Sequence, residues 1–343
     1  MAAAACREKL LAAVAAIGER TDAKGRVLIL SGGVDTCAIL AAASEVGVTF
    51  QAGITVVTGE DSPDGAFAAA AAAEKNLAHH VIQVTSDGLL EQYLPTCVKL
   101  LNTFDGMTLR NSLVVAAAMQ KVRDLGFSHA VVGDGADELF GGYSFMWGCA
   151  DDEAMWKEKR DKMCAQWTFA TTDIAKSYGV QVSSPYMDTA FVEWAVSSTN
   201  RSDCIAERSI RLTYGGEAIE HRTGKVCLRE AFETIASWRR KDPIEVGSGA
   251  TVISQDAFWE DRVSDEAFAQ AQQQLLARGF VIKNKEHLAN FRAFEAAFGE
   301  NGCRLPTKKR LGALQGCAGC CFEIGEATFC QVCGAYPAQR QAQ

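Results

Sequence analysis

Positive charge is in short supply: 34 lysines and arginines face 42 aspartates and glutamates, for a formal net charge of -8. That balance speaks against a broad nucleic-acid-binding or membrane-surface protein, although a local basic pocket can exist on an acidic chain. Long apolar runs are also missing. The opening MAAAACREKLLAAVAAIGER is rich in alanine but carries Glu8 and Glu19, so it is too short and too charged to span a membrane. It is expected to form a first helix. No signal peptide is recognisable there, and no internal repeat runs through the sequence. A GxxxxGK motif followed by Ser or Thr is absent, which excludes a Walker-type phosphate loop. Thirteen cysteines are present, five of them in the last thirty residues. Without a signal peptide they do not fit a secreted disulfide framework; a reducing, cytoplasmic compartment and a metal site fit better.

What is present points to a soluble α/β enzyme. The 343 residues, 48% hydrophobic and 22% charged, suffice for one large domain or two moderate ones. In VLILSGGVDTCAIL (27–40), Val27 to Leu30 is an uncharged apolar run of the kind found in buried parallel strands. From Val34 onward apolar positions recur at helical spacing, so Ser31, Gly32 and Gly33 lie between a strand end and a helix start. Free N–H groups in a first helical turn, the positive end of the helix dipole and two glycines make a phosphate cradle that needs no lysine. Strand and helix then alternate. Strands are expected over 48–59, 79–85 and 128–135, and helices over 65–77, near 87–102 and over 108–125. Such alternation gives a parallel sheet covered on both faces, with ligands outside the carboxyl ends of the strands. Ser31 to Asp35, Thr58 to Asp64 and Gly133 to Glu138 should therefore face one crevice. Beyond 150 the pattern is mostly helical, most clearly over 156–169, 188–198, 226–237, 255–277 and 285–298.

A second stretch, AVVGDGADELFGGY (130–143), sets Asp134, Asp137 and Glu138 among glycines at a strand end. Magnesium takes one or two protein carboxylates and completes its shell with water and phosphate oxygens, so Asp35 and Asp137 are the pair expected to hold it. The plainer alternative is that these acids cap the following helix.

SGGVDT resembles the pyrophosphate loop of the PP-loop ATP pyrophosphatases. GDGADELFGGY is similar to the second signature of the synthetase domain of glutamine-dependent asparagine synthetases and their relative β-lactam synthetase. EDSPD (60–64), GMTLRNS (106–112), SSPYMD (183–188), WRRKDPIEVGSG (238–249) and KEHLANFRAFEAAF (285–298) follow in the family's order, so the resemblance spans residues 1 to about 300. It implies an adenine nucleotide alpha hydrolase-like sheet with a helical C-terminal portion. It also implies an amide-forming ligase: a small-molecule carboxylate attacks the α-phosphorus of ATP, pyrophosphate leaves, and an amine attacks the acyl-adenylate. On this likeness the amides of Ser31, Gly32, Gly33 and Val34, the hydroxyls of Ser31 and Thr36, and magnesium on Asp35 and Asp137 would gather the pyrophosphate. Lys241 would reach the α-phosphate, Arg110 would lie near the phosphates, and adenine would lie among Ile29, Val57, Val132 and Gly133. Arg239 and Arg240 are expected to be solvated.

The sequence departs from the family in three places. Aspartate stands at 134 where asparagine synthetases usually have a glutamate linked to handling the amine, and it is shorter by one methylene. Gln181 and Ser183 stand where a glutamate and an arginine are usual, which puts aspartate in doubt as substrate. Met1 and Ala2 lead almost at once into the synthetase-like region and Cys6 falls inside a helix, so no glutaminase is expected; nitrogen would come from free ammonia, another amine or a partner chain such as a separate glutaminase.

The tail CAGCCFEIGEATFCQVCGAYP holds Cys317, Cys320, Cys330 and Cys333 as two C-x-x-C knuckles with nine residues between Cys320 and Cys330. That suits a closed, structural four-thiolate zinc site, with Cys321 open as a substitute for Cys320. The organisation expected is thus a synthetase-like region over 1–300 and a basic link plus zinc ribbon over 301–343. Two other functions use similar parts: a tRNA-thiolating enzyme, since some of these join a pyrophosphate loop to zinc ribbons, and an ATP-binding relative without turnover.

Overall fold

The structure, a computed structural model, describes residues 1–59, 62–148, 152–299, 304–311 and 315–339. Glu60 and Asp61 of the EDSPD stretch, and Gly312 at the end of the basic link, lie outside the described residues. The chain divides into two compact units, one of Met1–Gln83 and Ala118–Gly249, the other of Val84–Ala117 and Ala250–Gln343.

The first unit is built on a five-stranded sheet in the order β3-β2-β1-β4-β5. Its strands are β1 (Arg26–Ile29), β2 (Gly53–Val57), β3 (His79–Gln83), β4 (His129–Val131) and β5 (Gln181–Ser183), and every neighbouring pair is parallel. The chain runs outward from β1 through β2 to β3, then returns to β4 on the other side of β1. The reversal puts the topological switch point between β1 and β4, where open α/β sheets hold their ligands beyond the strand ends. The middle strands lack polar alternation because both faces are covered; all five residues of β2 are buried.

Helix α1 (Ala2–Arg20) turns Cys6, Leu10, Ala13, Val14 and Ile17 inward at helical spacing and packs on α2 (Val34–Val46). Helix α3 (Pro63–Glu74) buries Phe67, Ala68, Ala71 and Ala72. The expected strands are all there; β2, β3 and β4 are shorter than the stretches expected, and β1 keeps four residues but starts one earlier, at Arg26. The three-residue β5 is too short and too polar to announce itself. An antiparallel hairpin of β6 (Ala206–Arg211) and β7 (Ala218–Thr223) interrupts what reads as a helical region. Its strands are mostly polar and exposed, so neither shows an apolar period.

Two helical expectations need correction. The helix expected over 226–237 ends at Ala231. The Ser237 hydroxyl donates to Phe232 O at 2.7 Å and accepts from Thr234 N at 2.8 Å, so local side-chain bonds take the place of helical ones. The helix expected over 255–277 is two, Asp256–Trp259 and Asp265–Ala277; Ser264 caps the second by accepting from Ala267 N.

The second unit holds helix α4 (Ser86–Leu101), the first half of α5 (Gly106–Asp124) and the helix Lys285–Phe298. Phe104, Phe280, Phe291 and Phe294 form an aromatic core, with Phe104 centred 5.2 Å from Phe291 and 5.0 Å from Phe294. The cysteine-rich tail is fastened to this core. Phe322 meets Phe294 edge-on at 6.3 Å, Phe104 N donates to Val332 O at 2.8 Å, and Val281 N donates to Gly319 O at 2.8 Å.

Candidate active site at the strand ends

Gly32 has φ +67°, and a β-carbon there would stand 2.4 Å from Ala68 N and 2.7 Å from Phe67 Cβ. Only glycine lets the turn after β1 lie this close to α3. Gly33 is the N-cap of α2, and its N–H is 3.2 Å from Ser31 Oγ. Ser31 Oγ and Thr36 Oγ1 lie 3.3 Å apart, so both hydroxyls face the same helix start. The first helical hydrogen bond returning to this turn is from Cys37 N to Gly33 O, which leaves the N–H groups before it without helical partners.

Beside the loop lies Asp35, and Asp137 is brought up to it by the short helix α6 (Ala136–Phe140) that follows β4. Between them stands Lys225. Its side chain is completely buried, with Nζ 2.8 and 2.6 Å from the two oxygens of Asp35 and 2.8 Å from Asp137 Oδ1. Lys225 has a left-handed backbone, φ +62° and ψ 29°, held by its N–H donating to Phe140 O at 2.9 Å. Gly142 must be glycine here: a β-carbon would be 1.8 Å from Asp137 Oδ1 and 2.5 Å from Lys225 Cε. Lys241 Nζ is 3.3 Å from Asp137 Oδ2.

Burial works against charge on both acids. In Asp137 it is outweighed by Lys225 and Lys241, which hold the carboxyl below its ordinary range. In Asp35 burial prevails over Lys225, and the charge of Asp137 adds to it, so that carboxyl is pushed up. Burial would lower the ammonium of Lys225, but Asp137 and Asp35 keep it above its ordinary value. Asp137 Oδ1 has no hydrogen-bond partner although Lys225 Nζ is close, so the contact is an ion pair off the hydrogen-bonding direction. Two carboxylates on one site, one with a buried oxygen open to a better partner, fit magnesium.

Asp134, at the same edge, is pushed up to about 6 by burial, against a hydrogen bond from Thr171 and with the neighbouring acids adding to the rise. Tyr143 OH donates to Glu138 Oε1 at 2.6 Å. Ile29, Val57, Val132 and Gly133 lie at the carboxyl ends of β1, β2 and β4 as expected, with Val57 and Val132 buried. A β-carbon on Gly133 would be 2.9 Å from Asp35 Cβ, so these strand ends touch.

Arg239 corrects an expectation. It is only 2% exposed, not solvated; Nη2 is 2.6 Å from Asp64 Oδ1, Nη1 donates to Ser31 O at 3.2 Å, and the guanidinium lies 4.5 Å from the centre of the Phe67 ring. It ties the loop after β1 to the start of α3. Neighbouring Arg240 is more open and pairs with Asp242. Thr58 N and Ser62 Oγ donate to Ser248 O and Gly247 O, pinning the 238–249 segment over the strand ends. Arg110 belongs to the second unit, where Nη1 is 2.7 Å from both carboxylate oxygens of Glu286.

The sulfurs of Cys317, Cys320, Cys330 and Cys333 all lie within 4.8 Å of one another, with Cys317–Cys333 and Cys320–Cys330 each at 3.6 Å. A tetrahedron with Zn–S of about 2.3 Å has edges of about 3.8 Å, so the four thiols fit zinc. Cys321 is turned away by its φ of +61°, and its sulfur lies 3.5 Å from Gly279 O.

The fold is an α/β one with a five-stranded parallel sheet, consistent with a PP-loop synthetase domain. Residues 6–173 match the Asn_synthase family, described as asparagine synthase. A probable glutamine-hydrolyzing asparagine synthetase of Dictyostelium discoideum is 28% identical over 226 residues, 61% of this chain and 38% of that protein. Asparagine synthetase B of Escherichia coli K12 is 26% identical over 222 residues, 63% of this chain and 36% of that one. The chain therefore spans less than half the length of these curated relatives. The solved structure of an NMN synthetase from Francisella tularensis aligns at 16% identity and TM-score 0.29, covering 56% of this chain and 91% of that one. Among the described residues no helix is long and apolar enough to cross a membrane.

Proposed function

We propose that the protein is an ATP-dependent amide-forming ligase of the asparagine synthetase type. A carboxylate oxygen of a small-molecule substrate attacks the α-phosphorus of ATP and displaces pyrophosphate; ammonia or another amine then attacks the acyl-adenylate, releasing AMP and a proton and leaving an amide. The observation that carries this is the meeting, at the switch point, of the Ser31–Gly32–Gly33 turn with Asp35, Asp137, Lys225 and Lys241.

The residues divide the work by charge and position. Ser31, Gly32, Gly33 and Thr36 offer N–H and O–H donors to the departing pyrophosphate. Ile29, Val57, Val132 and Gly133, at the strand ends, would lie against adenine. Lys241 supplies positive charge toward the α-phosphate. Asp134, with a carboxyl near 6, is mostly ionised at neutral pH and suited to accept the amine proton. Magnesium on Asp35 and Asp137 would offset the negative charge of the leaving group. Residues 1 to 300 would form the synthetase-like region, and the tail beyond 300 a structural zinc site on Cys317, Cys320, Cys330 and Cys333. The nitrogen donor would be ammonia, another amine or a partner chain. Incubation with magnesium-ATP, ammonium and a panel of carboxylic acids should give AMP and pyrophosphate with at least one acid; ADP as the product would contradict the proposal.

A further inference from the structure

Lys225 is a poor candidate for an ordinary structural lysine. It is wholly buried, its backbone is in a region that costs a non-glycine residue free energy, and its ammonium lies between the two carboxylates best placed to hold a metal. Gly142 gives up a side chain to make room for it, and Gly224 just before it could not carry one, since a β-carbon there would be 2.0 Å from Gly141 O. The fold thus sets this lysine between Asp35 and Asp137 at some cost.

We infer that Lys225 is an internal cation that fills the place between Asp35 and Asp137 in the nucleotide-free protein, so that a divalent cation enters this site only together with a polyphosphate. The inference rests on the ATP-site proposal above. Charge balance is its physical basis. Asp35 and Asp137 contribute two negative charges, and Lys225 and Lys241 two positive ones, so the buried cluster is neutral as it stands. A divalent cation arriving alone would leave two uncompensated positive charges in a site largely shut off from water. Pyrophosphate or the phosphates of ATP bring negative charge with the metal. Lys225 then has a new partner in the phosphate oxygens and can release its hold on the carboxylates. In this arrangement Lys225 is a positioning residue: it keeps two like-charged carboxylates together and ties metal entry to substrate.

Manganese as a paramagnetic stand-in, with inorganic pyrophosphate, tests this on the zinc-loaded full chain by calorimetry or electron paramagnetic resonance. Wild-type protein should bind manganese with pyrophosphate at least tenfold more tightly than manganese alone, and Asp35→Asn should lose the tight mode. Lys225→Met leaves Asp35 without its cation and Asp137 with Lys241 alone, and should bind manganese alone at least tenfold more tightly than wild type. A lysine with a merely structural role would not raise metal affinity when removed. Wild-type protein that bound manganese equally well with and without pyrophosphate, at a site removed by Asp35→Asn, would overturn the inference and leave the ATP site standing. Pyrophosphate-dependent binding that ignored Asp35→Asn would instead overturn the ATP site and the inference with it. Both wild-type comparisons hold even if Lys225→Met does not fold.

Discussion

Asp134 has a raised carboxyl, and the sign of its effect on stability follows. Burial lifts it to about 6, above its unfolded value, so the folded protein takes up its proton more readily than the unfolded chain. Its contribution to stability is fullest below about pH 4 and is lost as pH rises through about 6. Asp134→Asn should therefore stabilise the protein at pH 7.5 by about 1–3 kcal/mol, with the gain vanishing toward pH 4; denaturant melts at the two pH values measure it. In the ligase assay wild-type kcat should fall on the acid side with a midpoint near 6, and Asp134→Asn should abolish that limb. Asp35→Asn should lower pyrophosphate release by roughly a hundred- to a thousandfold without unfolding the chain. Near wild-type release would contradict its role. Lys241→Ala should lower turnover of saturated enzyme while calorimetry shows ATP still bound. Asp35 and Asp137 sit in short stretches whose chemistry can be read locally, whereas Lys241 is marked only by the family resemblance. Lys225 has no such local mark: its partner Asp35 is 190 residues away, and the acids nearest it in the sequence, Glu220 and Glu230, are not the ones it pairs with. Arg239 failed for a similar reason: beside Arg240 and Lys241 it looks like part of a solvated run, and its burial depends on Asp64, 175 residues distant.

Apolar runs bounded by glycine made β1 and β2 legible, and the first helix kept its expected span to Arg20. Elements whose stability comes from polar pairing were not legible. The hairpin of β6 and β7 is held by backbone pairing between charged strands and by the side-chain ion pair of Arg222 Nε with Glu207 Oε1 at 2.8 Å, and has no hydrophobic period to detect. The cysteine knuckles were legible from spacing alone, but their attachment to the aromatic core of the second unit was not. That attachment sharpens what loss of the metal should do. Purified protein should carry about one zinc per chain, and Cys330→Ser/Cys333→Ser should carry none. In that double variant the amides of Phe104 and Val281, which bond to the tail, should lose protection from hydrogen exchange. Those of Leu28 and Leu30 in the first-unit sheet should keep theirs. Protection unchanged at Phe104 and Val281 would mean that the tail holds without metal.

At the scale of the whole molecule, the sheet order puts the end of β1 next to the end of β4, and that adjacency turns two separate sequence stretches into one site. A helix start able to hold phosphate, a carboxylate pair, and two lysines from the later half of the first unit meet there. The central claim is that this site cleaves ATP between the α- and β-phosphates to activate a carboxylate. The most direct measurement is positional isotope transfer: magnesium-ATP, ammonium and a panel of carboxylic acids labelled with oxygen-18 in the carboxylate, with phosphorus detection of the products. The account predicts pyrophosphate together with AMP carrying one labelled oxygen from the acid. Unlabelled AMP, or ADP and inorganic phosphate in its place, would contradict it.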